Sequence, residues 1–186
     1  MTIIVEDGSN VPNANSYLSL ANIRTYASAR GVTLSPVDAT LEPLVIKAMD
    51  YIESKREYYQ GMKTYPTQSL QFPRSEILYS DYYTGNVADT IGIMIECVRI
   101  DNDVIPQILK DILCQVTMAI NAGVDFANYG QSQQSIIKEK VGPLEVQYEN
   151  GGYIVGQPEI DSIDEMFDVL FYPCGNNDSF LRTVRV

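Results

Sequence analysis

The chain has 186 residues, and its 24 acids against 13 bases give a formal net charge of −11 at pH 7. Proteins that hold free nucleic acid neutralise its phosphates with Lys and Arg, so this balance and the lack of a basic run disfavour overall attraction to DNA. The sequence leaves open whether a local basic patch exists. Histidine is absent, which excludes the usual catalytic triads and histidine metal sites.

The three cysteines, Cys97, Cys114 and Cys174, lie far apart and form no CxxC pair. Neither a zinc site nor a disulfide framework is therefore predicted. No signal peptide and no run of about 20 apolar residues is present, so no membrane segment is expected. We expect one domain spanning residues 1–186 that is not an enzyme and needs no cofactor or metal.

The first part of the chain predicts a loop followed by two helices. Residues 2–6 are β-prone, and residues 7–16 are rich in turn formers. Ser19 can cap a helix over 20–30. A second helix is predicted over 41–59, because apolar residues recur there at three- and four-residue steps. Pro43 is tolerable only near a first turn, which sets the predicted start.

An extended strap follows over residues 65–74, because the residues before Pro66 and Pro73 are pushed out of the helical region. Leu70 and Phe72 are its expected anchors. They either cover the protein's own helices or pack at a subunit interface, with Arg74 bonded across it.

The second half of the chain alternates turns with two further helices. Residues 75–104 predict an inserted hairpin or elongated loop, and a helix follows over 106–121. A hairpin is predicted over 138–148, where the alternation is typical of a half-buried strand. The last helix is predicted over 161–171, and a C-terminal arm is predicted over 176–186. Its strand-like part, 180–186, either closes the protein's own sheet or adds a strand to a neighbouring subunit.

These elements predict a mainly α, α+β fold. We expect a small antiparallel bundle of about four helices with β-hairpins and extended N- and C-terminal arms.

Four stretches carry a resemblance to a known family: Glu6–Tyr17, Ile46–Ile52, Pro66–Arg74 and Lys138–Leu144. Together they resemble the head–tail connector, or adaptor, proteins of tailed bacteriophages, some of which are labelled DnaT-like single-stranded-DNA-binding proteins. The resemblance covers most of the chain and is weakest at 75–104. These motifs are structural and name no catalytic residue.

The resemblance implies a structural virion protein at the head–tail junction, made in the host bacterial cytoplasm. It implies a ring of copies of this chain, a dodecamer, that docks under the portal protein and joins the next tail component. DNA would pass through its channel without sequence-specific binding, and an acidic lumen would repel the phosphates. The residues expected at subunit or partner contacts are Leu70, Phe72, Arg74, Lys138, Lys140, Leu144, Val146, Phe180, Leu181, Arg182, Val184 and Arg185.

Two alternatives belong to other classes of protein. The first is a DnaT-like single-stranded-DNA-binding protein whose tyrosines stack on bases. The candidate rings are those of Tyr79, Tyr82, Tyr83, Tyr129 and Tyr148. The second is a carboxylate-based enzyme built on the acidic residues around the last helix, where a solvated helix face is the favoured interpretation. Those residues are Glu159, Asp161, Asp164, Glu165 and Asp168.

Overall fold

The structure is a computed structural model that describes residues 2–79, 98–126, 138–141, 144–147 and 161–172. The described residues form four helices: α1 (Leu20–Ser28), α2 (Asp38–Ser54), α3 (Gln107–Asn121) and α4 (Asp161–Phe171). They also form three antiparallel strand pairs. These are β1 (Met62–Lys63) with β2 (Arg74–Ser75), β3 (Leu78–Tyr79) with β4 (Val98–Arg99), and β5 (Lys138–Val141) with β6 (Leu144–Gln147).

The predicted mainly helical α+β class is confirmed. Helix α3 packs against α1, α2 and α4, so it forms the centre of the bundle. Its apolar face is buried over almost three turns, which matches the three- and four-residue spacing in its sequence. The buried residues of α3 are Leu109, Ile112, Leu113, Cys114, Val116, Thr117 and Met118. Within the described part of the chain, no helix combines the length and apolar character needed to cross a membrane.

Helix α1 follows its predicted capping. The Ser19 side chain accepts a hydrogen bond from the Asn22 backbone N–H at 3.2 Å, and this supplies a partner to an otherwise unpaired amide of the first turn. The helix ends at Ser28, two residues earlier than predicted. Gly31 has a φ of +74° and turns the chain away, while the Val32 N–H bonds back to the Ala27 carbonyl.

Helix α2 differs from its prediction at both ends. It begins at Asp38, so Pro43 lies inside the helix instead of in its first turn. It ends at Ser54, because the chain turns at Lys55 and the Tyr58 N–H bonds to the Lys55 carbonyl at 2.9 Å. This turn lets the side chain of Tyr59 enter the core, where its hydroxyl donates to the Ile52 carbonyl at 2.9 Å.

The N-terminal loop is built around a buried carboxylate. Glu6 is only 1% exposed and accepts hydrogen bonds from the N–H groups of Gly8, Asn10 and Val11 at 2.9 to 3.1 Å. Gly8 has a φ of +106°, and a Cβ there would lie 1.7 Å from the Asp103 carbonyl oxygen. The sequence motif at residues 6–17 therefore specifies a folded loop that packs on the 101–104 turn.

The predicted hairpin at 138–148 is present as β5 and β6, whose register pairs Val141 with Leu144. The predicted insert at 75–104 is described only at its base, where β3 pairs with β4. The C-terminal arm predicted at 176–186 lies outside the described residues.

Candidate nucleic-acid interface

Three of the residues predicted to contact a partner lie inside the protein's own core. Leu70 and Arg74 are each 7% exposed, and Phe72 is fully buried. The Phe72 ring packs edge-on against Tyr17 and Tyr59, with centroids 6.3 and 5.1 Å away. In the described structure the strap therefore covers its own helices, which was one of the two interpretations of its sequence.

Arg74 is used within the chain. Its guanidinium donates to the carbonyl oxygens of Gln60 and Gly61, both at 2.7 Å, and to the Gln71 side-chain oxygen at 3.1 Å. Burial lowers the pKa of Arg74 from its ordinary value. These bonds fix β2 and the strap beside the segment that follows α2.

The structure describes some of the other predicted contact residues and not the rest. Lys138 and Lys140 lie in β5, and Leu144 and Val146 lie in β6. Their interface role stays a prediction. The tail residues Phe180, Leu181, Arg182, Val184 and Arg185 lie outside the described residues, as do the tyrosines Tyr82, Tyr83, Tyr129 and Tyr148. Tyr79 is in β3.

The acidic cluster is a helix face in the described residues. Helix α4 buries Ile163, Phe167 and Leu170, while Asp161 and Glu165 are exposed. No group of three potential metal ligands occurs within the described ranges. Glu159 lies outside them. This arrangement matches the favoured interpretation of a solvated helix face.

A carboxylate with a shifted pKa lies under the strap. Glu53 accepts from the Tyr17 hydroxyl at 2.6 Å and from the Gln71 N–H at 2.9 Å, and the Tyr17 hydroxyl accepts from the Phe72 N–H at 3.1 Å. Burial raises the pKa of Glu53, and it raises the pKa of Tyr17 well above its usual value. The hydrogen bonds of Glu53 and Tyr17 hold the strap against α2 and the N-terminal loop.

The surface that combines cations with exposed aromatic rings lies just after α2. In residues 55–65, which we call the 55–65 segment, Lys55, Arg56 and Lys63 oppose one acid, Glu57. Tyr58 is 63% exposed, and its ring lies 5.5 Å from that of Phe171 in α4. This is a local excess of positive charge in an acidic protein, with a ring available for stacking.

A second tyrosine joins this surface from a distant part of the chain. Tyr172, at the end of α4, is 47% exposed. The Gln60 side-chain amide donates to the carbonyls of Tyr172, Val169 and Leu78 at 2.8, 3.2 and 3.3 Å, while its oxygen accepts from the Leu78 N–H. Gln60 therefore ties the end of α4 to the 55–65 segment.

The backbone of the segment is held rigidly between these anchors. Tyr59 is 6% exposed and packs on Phe72 and Phe171. Gly61 has a φ of +62°, and a Cβ there would lie 1.8 Å from the Ser75 carbonyl oxygen. With residues 59–61 fixed, Tyr58 stays on the surface instead of folding inward.

Two other arginines of the described residues are engaged locally. Arg24 forms an ion pair with Asp38 at 2.7 Å, and the Arg30 guanidinium lies 3.4 Å from the centroid of the Tyr26 ring. Tyr26 in turn accepts a hydrogen bond from Gln115. Both arginines near α1 are therefore paired with other residues of the same chain.

Sequence reasoning missed the 55–65 segment as a site. The signal was present, because three cations and three tyrosines occur within eleven residues. The sequence predicts a helix over 41–59 and a strap over 65–74, so the predicted elements divide this segment, and the acid excess of the whole chain masks its local positive charge. Only the fold shows that Tyr59 turns inward and Tyr58 outward.

The fold and this surface define a small α+β protein with a local cationic and aromatic face. A family model described as "Putative DnaT-like ssDNA binding protein" matches residues 1–186, the whole chain. The chain belongs to that family. No curated protein and no solved structure matches the chain.

This match corrects the family predicted from the sequence: the assignment to the head–tail connectors was wrong. Two of the motifs behind it, at residues 6–17 and 66–74, place the buried side chains Glu6, Phe72 and Arg74 inside the fold, where they are bonded or packed within one chain. Such motifs report how the chain folds, and they carry no information about assembly.

The function and partners inferred from that resemblance are corrected with it. The family does not support the predictions of a connector ring under the portal, of a tail component as partner, and of DNA that passes through a channel without sequence-specific binding. The net charge of −11 disfavoured overall attraction to DNA but left a local basic patch open, and the 55–65 segment carries more bases than acids.

Proposed function

We propose that this protein binds single-stranded DNA through the 55–65 segment together with Tyr172. The observation that carries the proposal is the exposed Tyr58 ring in a segment that also contains Lys55, Arg56 and Lys63, in a chain that matches a putative DnaT-like single-stranded-DNA-binding family over its full length. No bond is made or broken in this function.

The chemistry of the surface suits a single strand. Unpaired bases expose their π-faces, and each base stacked on an aromatic side chain contributes about 1–3 kcal/mol. Tyr58 and Tyr172 can each take a base, while the neighbouring cations face the phosphates. In a duplex the bases are already stacked on each other, so exposed tyrosines gain little from it.

The acidic remainder of the protein limits the affinity. Three cations on a single strand predict a slope of about −2 in log K against log salt concentration. Repulsion from the rest of the chain opposes binding at low salt, where screening is weakest. We therefore expect modest affinity that depends on stacking more than on charge.

The test is fluorescence anisotropy of a labelled single-stranded oligonucleotide, with the matching duplex as competitor, at about 50 and about 200 mM salt. Tyr58→Ala should weaken binding by about 5-fold to 100-fold, because one stacked base is lost. Arg56→Gln should reduce the salt slope by about 0.7.

The matched controls are Val104→Ala, an exposed apolar residue elsewhere, and Arg30→Gln, a cation just after α1. Circular dichroism establishes that each variant is folded. Absence of single-strand binding at low salt, or binding that the controls weaken as much as Tyr58→Ala does, would overturn the proposal.

A further inference from the structure

A cleft opens between α2 and the end of α3, close to the 55–65 segment. It has a volume of about 340 Å³, and its apolar wall includes Leu44, Tyr51, Ile120 and Phe126. Pockets that hold small molecules span about 300–1,000 Å³. The cleft is therefore of a size to take one nucleoside rather than a longer ligand.

The cleft exists because α3 stops and the chain reverses. Gly123 has a φ of +99°, and the Val124 N–H bonds back to the Ala119 carbonyl at 3.0 Å. This reversal brings Phe126 over α2, where its ring lies 4.5 Å from that of Tyr51. A Cβ on Gly123 would meet no atom within 4 Å, so the entrance beside it is open.

The rim of the cleft carries both signs of charge. Lys47 and the carboxylates Asp50 and Asp125 line it. A carboxylate accepts hydrogen bonds from exocyclic amino groups, such as N4 of cytosine, and thymine has no such group. The same carboxylates repel phosphate, so the rim suits the edge of a base and disfavours the backbone of the strand.

The cleft adjoins the 55–65 segment at Lys55. The Lys55 ammonium lies 4.9 Å from the centroid of the Tyr51 ring, on the cleft wall. In the core below, the buried Phe167 ring packs against Tyr51, at 6.0 Å, and against Phe171, whose ring also packs on Tyr58. A strand stacked on Tyr58 therefore has a neighbouring apolar slot within the same aromatic cluster.

We propose that this cleft receives one base of the bound strand and selects bases that bear an exocyclic amino group, such as cytosine and adenine, over thymine, which has none. The inference rests on the proposed function and adds base preference to it. Lys47 and Lys55 meet the flanking phosphates, and the apolar wall shields the base from water.

The test compares oligo(dC), oligo(dA) and oligo(dT) by anisotropy and follows uncharged cytidine, adenosine and thymidine by ¹H–¹⁵N NMR titration. Oligo(dC) and oligo(dA) should bind at least about 5-fold tighter than oligo(dT). Cytidine and adenosine should shift amide signals of residues 120–126. Ile120→Trp, which fills the cleft, should abolish those shifts and the preference. Asp50→Asn should reduce the preference.

The controls are Ile108→Trp, on α3 outside the cleft, and Asp101→Asn, in an exposed turn. The cleft inference would be overturned if the three homopolymers bind with equal affinity and Ile120→Trp does not change that affinity. If that binding still depends on Tyr58, the proposed function stands. Nucleoside shifts in the cleft without binding of any oligonucleotide would overturn both, because the inference requires a bound strand.

Discussion

At the scale of single residues, the fold depends on polar side chains that bond to backbone groups. Arg74, Gln60 and Gln68 each bond to several backbone groups of the strap and its neighbours. Buried polar groups are costly unless they are paired, so these residues specify one arrangement of a segment with little regular secondary structure. Glu53 belongs to this group and is the member that titrates.

Glu53 makes the stability of the protein depend on pH. Because its pKa is raised in the folded state, its favourable contribution is present below the unfolded pKa and is lost as the pH rises through the folded pKa. Urea unfolding of the wild type and Glu53→Gln, from about pH 4 to about pH 7, should show the difference moving in favour of the variant. The variant also loses one acceptor, which costs about 1 kcal/mol at every pH.

Glu57→Gln is the matched control, because it removes one carboxylate at an exposed position nearby. The raised pKa of Glu53 would be contradicted by either of two results. The difference in the free energy of unfolding between the wild type and Glu53→Gln could stay constant as the pH rises, or it could move in favour of the wild type.

At the scale of elements, the helices follow their apolar periodicity and their ends follow tertiary contacts. Helix α2 is the clearest case, since it begins before Pro43 and stops where Tyr59 must enter the core. A proline inside a helix removes one hydrogen bond and crowds the carbonyl four residues earlier. Helix α2 therefore carries a local cost that the packing of its buried face offsets.

Pro43→Ala should stabilise the protein by about 1–3 kcal/mol, because the new N–H can bond to the Ala39 carbonyl. The measurement is the free energy of unfolding in urea. Pro36→Ala is the control, in the exposed loop before the helix, and should cost up to about 1 kcal/mol through the freer unfolded chain. Destabilisation by both substitutions to the same extent would show that α2 gains nothing from the added bond.

At the scale of the whole molecule, a net charge of −11 has two opposite consequences. Repulsion among the acids destabilises the folded chain, and salt screens it. Binding of a strand to the 55–65 segment gains from released counterions, and salt reduces that gain. Stability and binding should therefore respond to salt in opposite directions.

Raising NaCl from about 10 mM to about 200 mM should raise the melting temperature, by about 2–4 °C for each kcal/mol of relieved repulsion. Over the same range the affinity for a single strand should fall. Scanning calorimetry and anisotropy measure the two responses, and KCl in place of NaCl tests for ion-specific effects. A melting temperature that falls with salt would show that self-repulsion does not govern this acidic fold.

Much of the architecture was predictable from the sequence, because helix periodicity is a local signal. Helices α3 and α4 end where their apolar spacing ends, and Ser19 and Gly31 act at the ends of α1 as their residue types predict. The hairpin of β5 and β6 also follows its alternating sequence. These features depend on neighbours within a few residues, so the order of residues contains them.

The candidate site was decided by the tertiary structure alone. The adjacent residues Tyr58 and Tyr59 differ in exposure. Tyr59 is buried because its ring fills the space between α2, α4 and the strap, whereas Tyr58 stays on the surface. Tyr172 joins Tyr58 only because Gln60 bonds to the end of α4. Which face a side chain takes, and which distant residue it meets, depends on burial against elements far away in sequence. No local pattern in the chain encodes that.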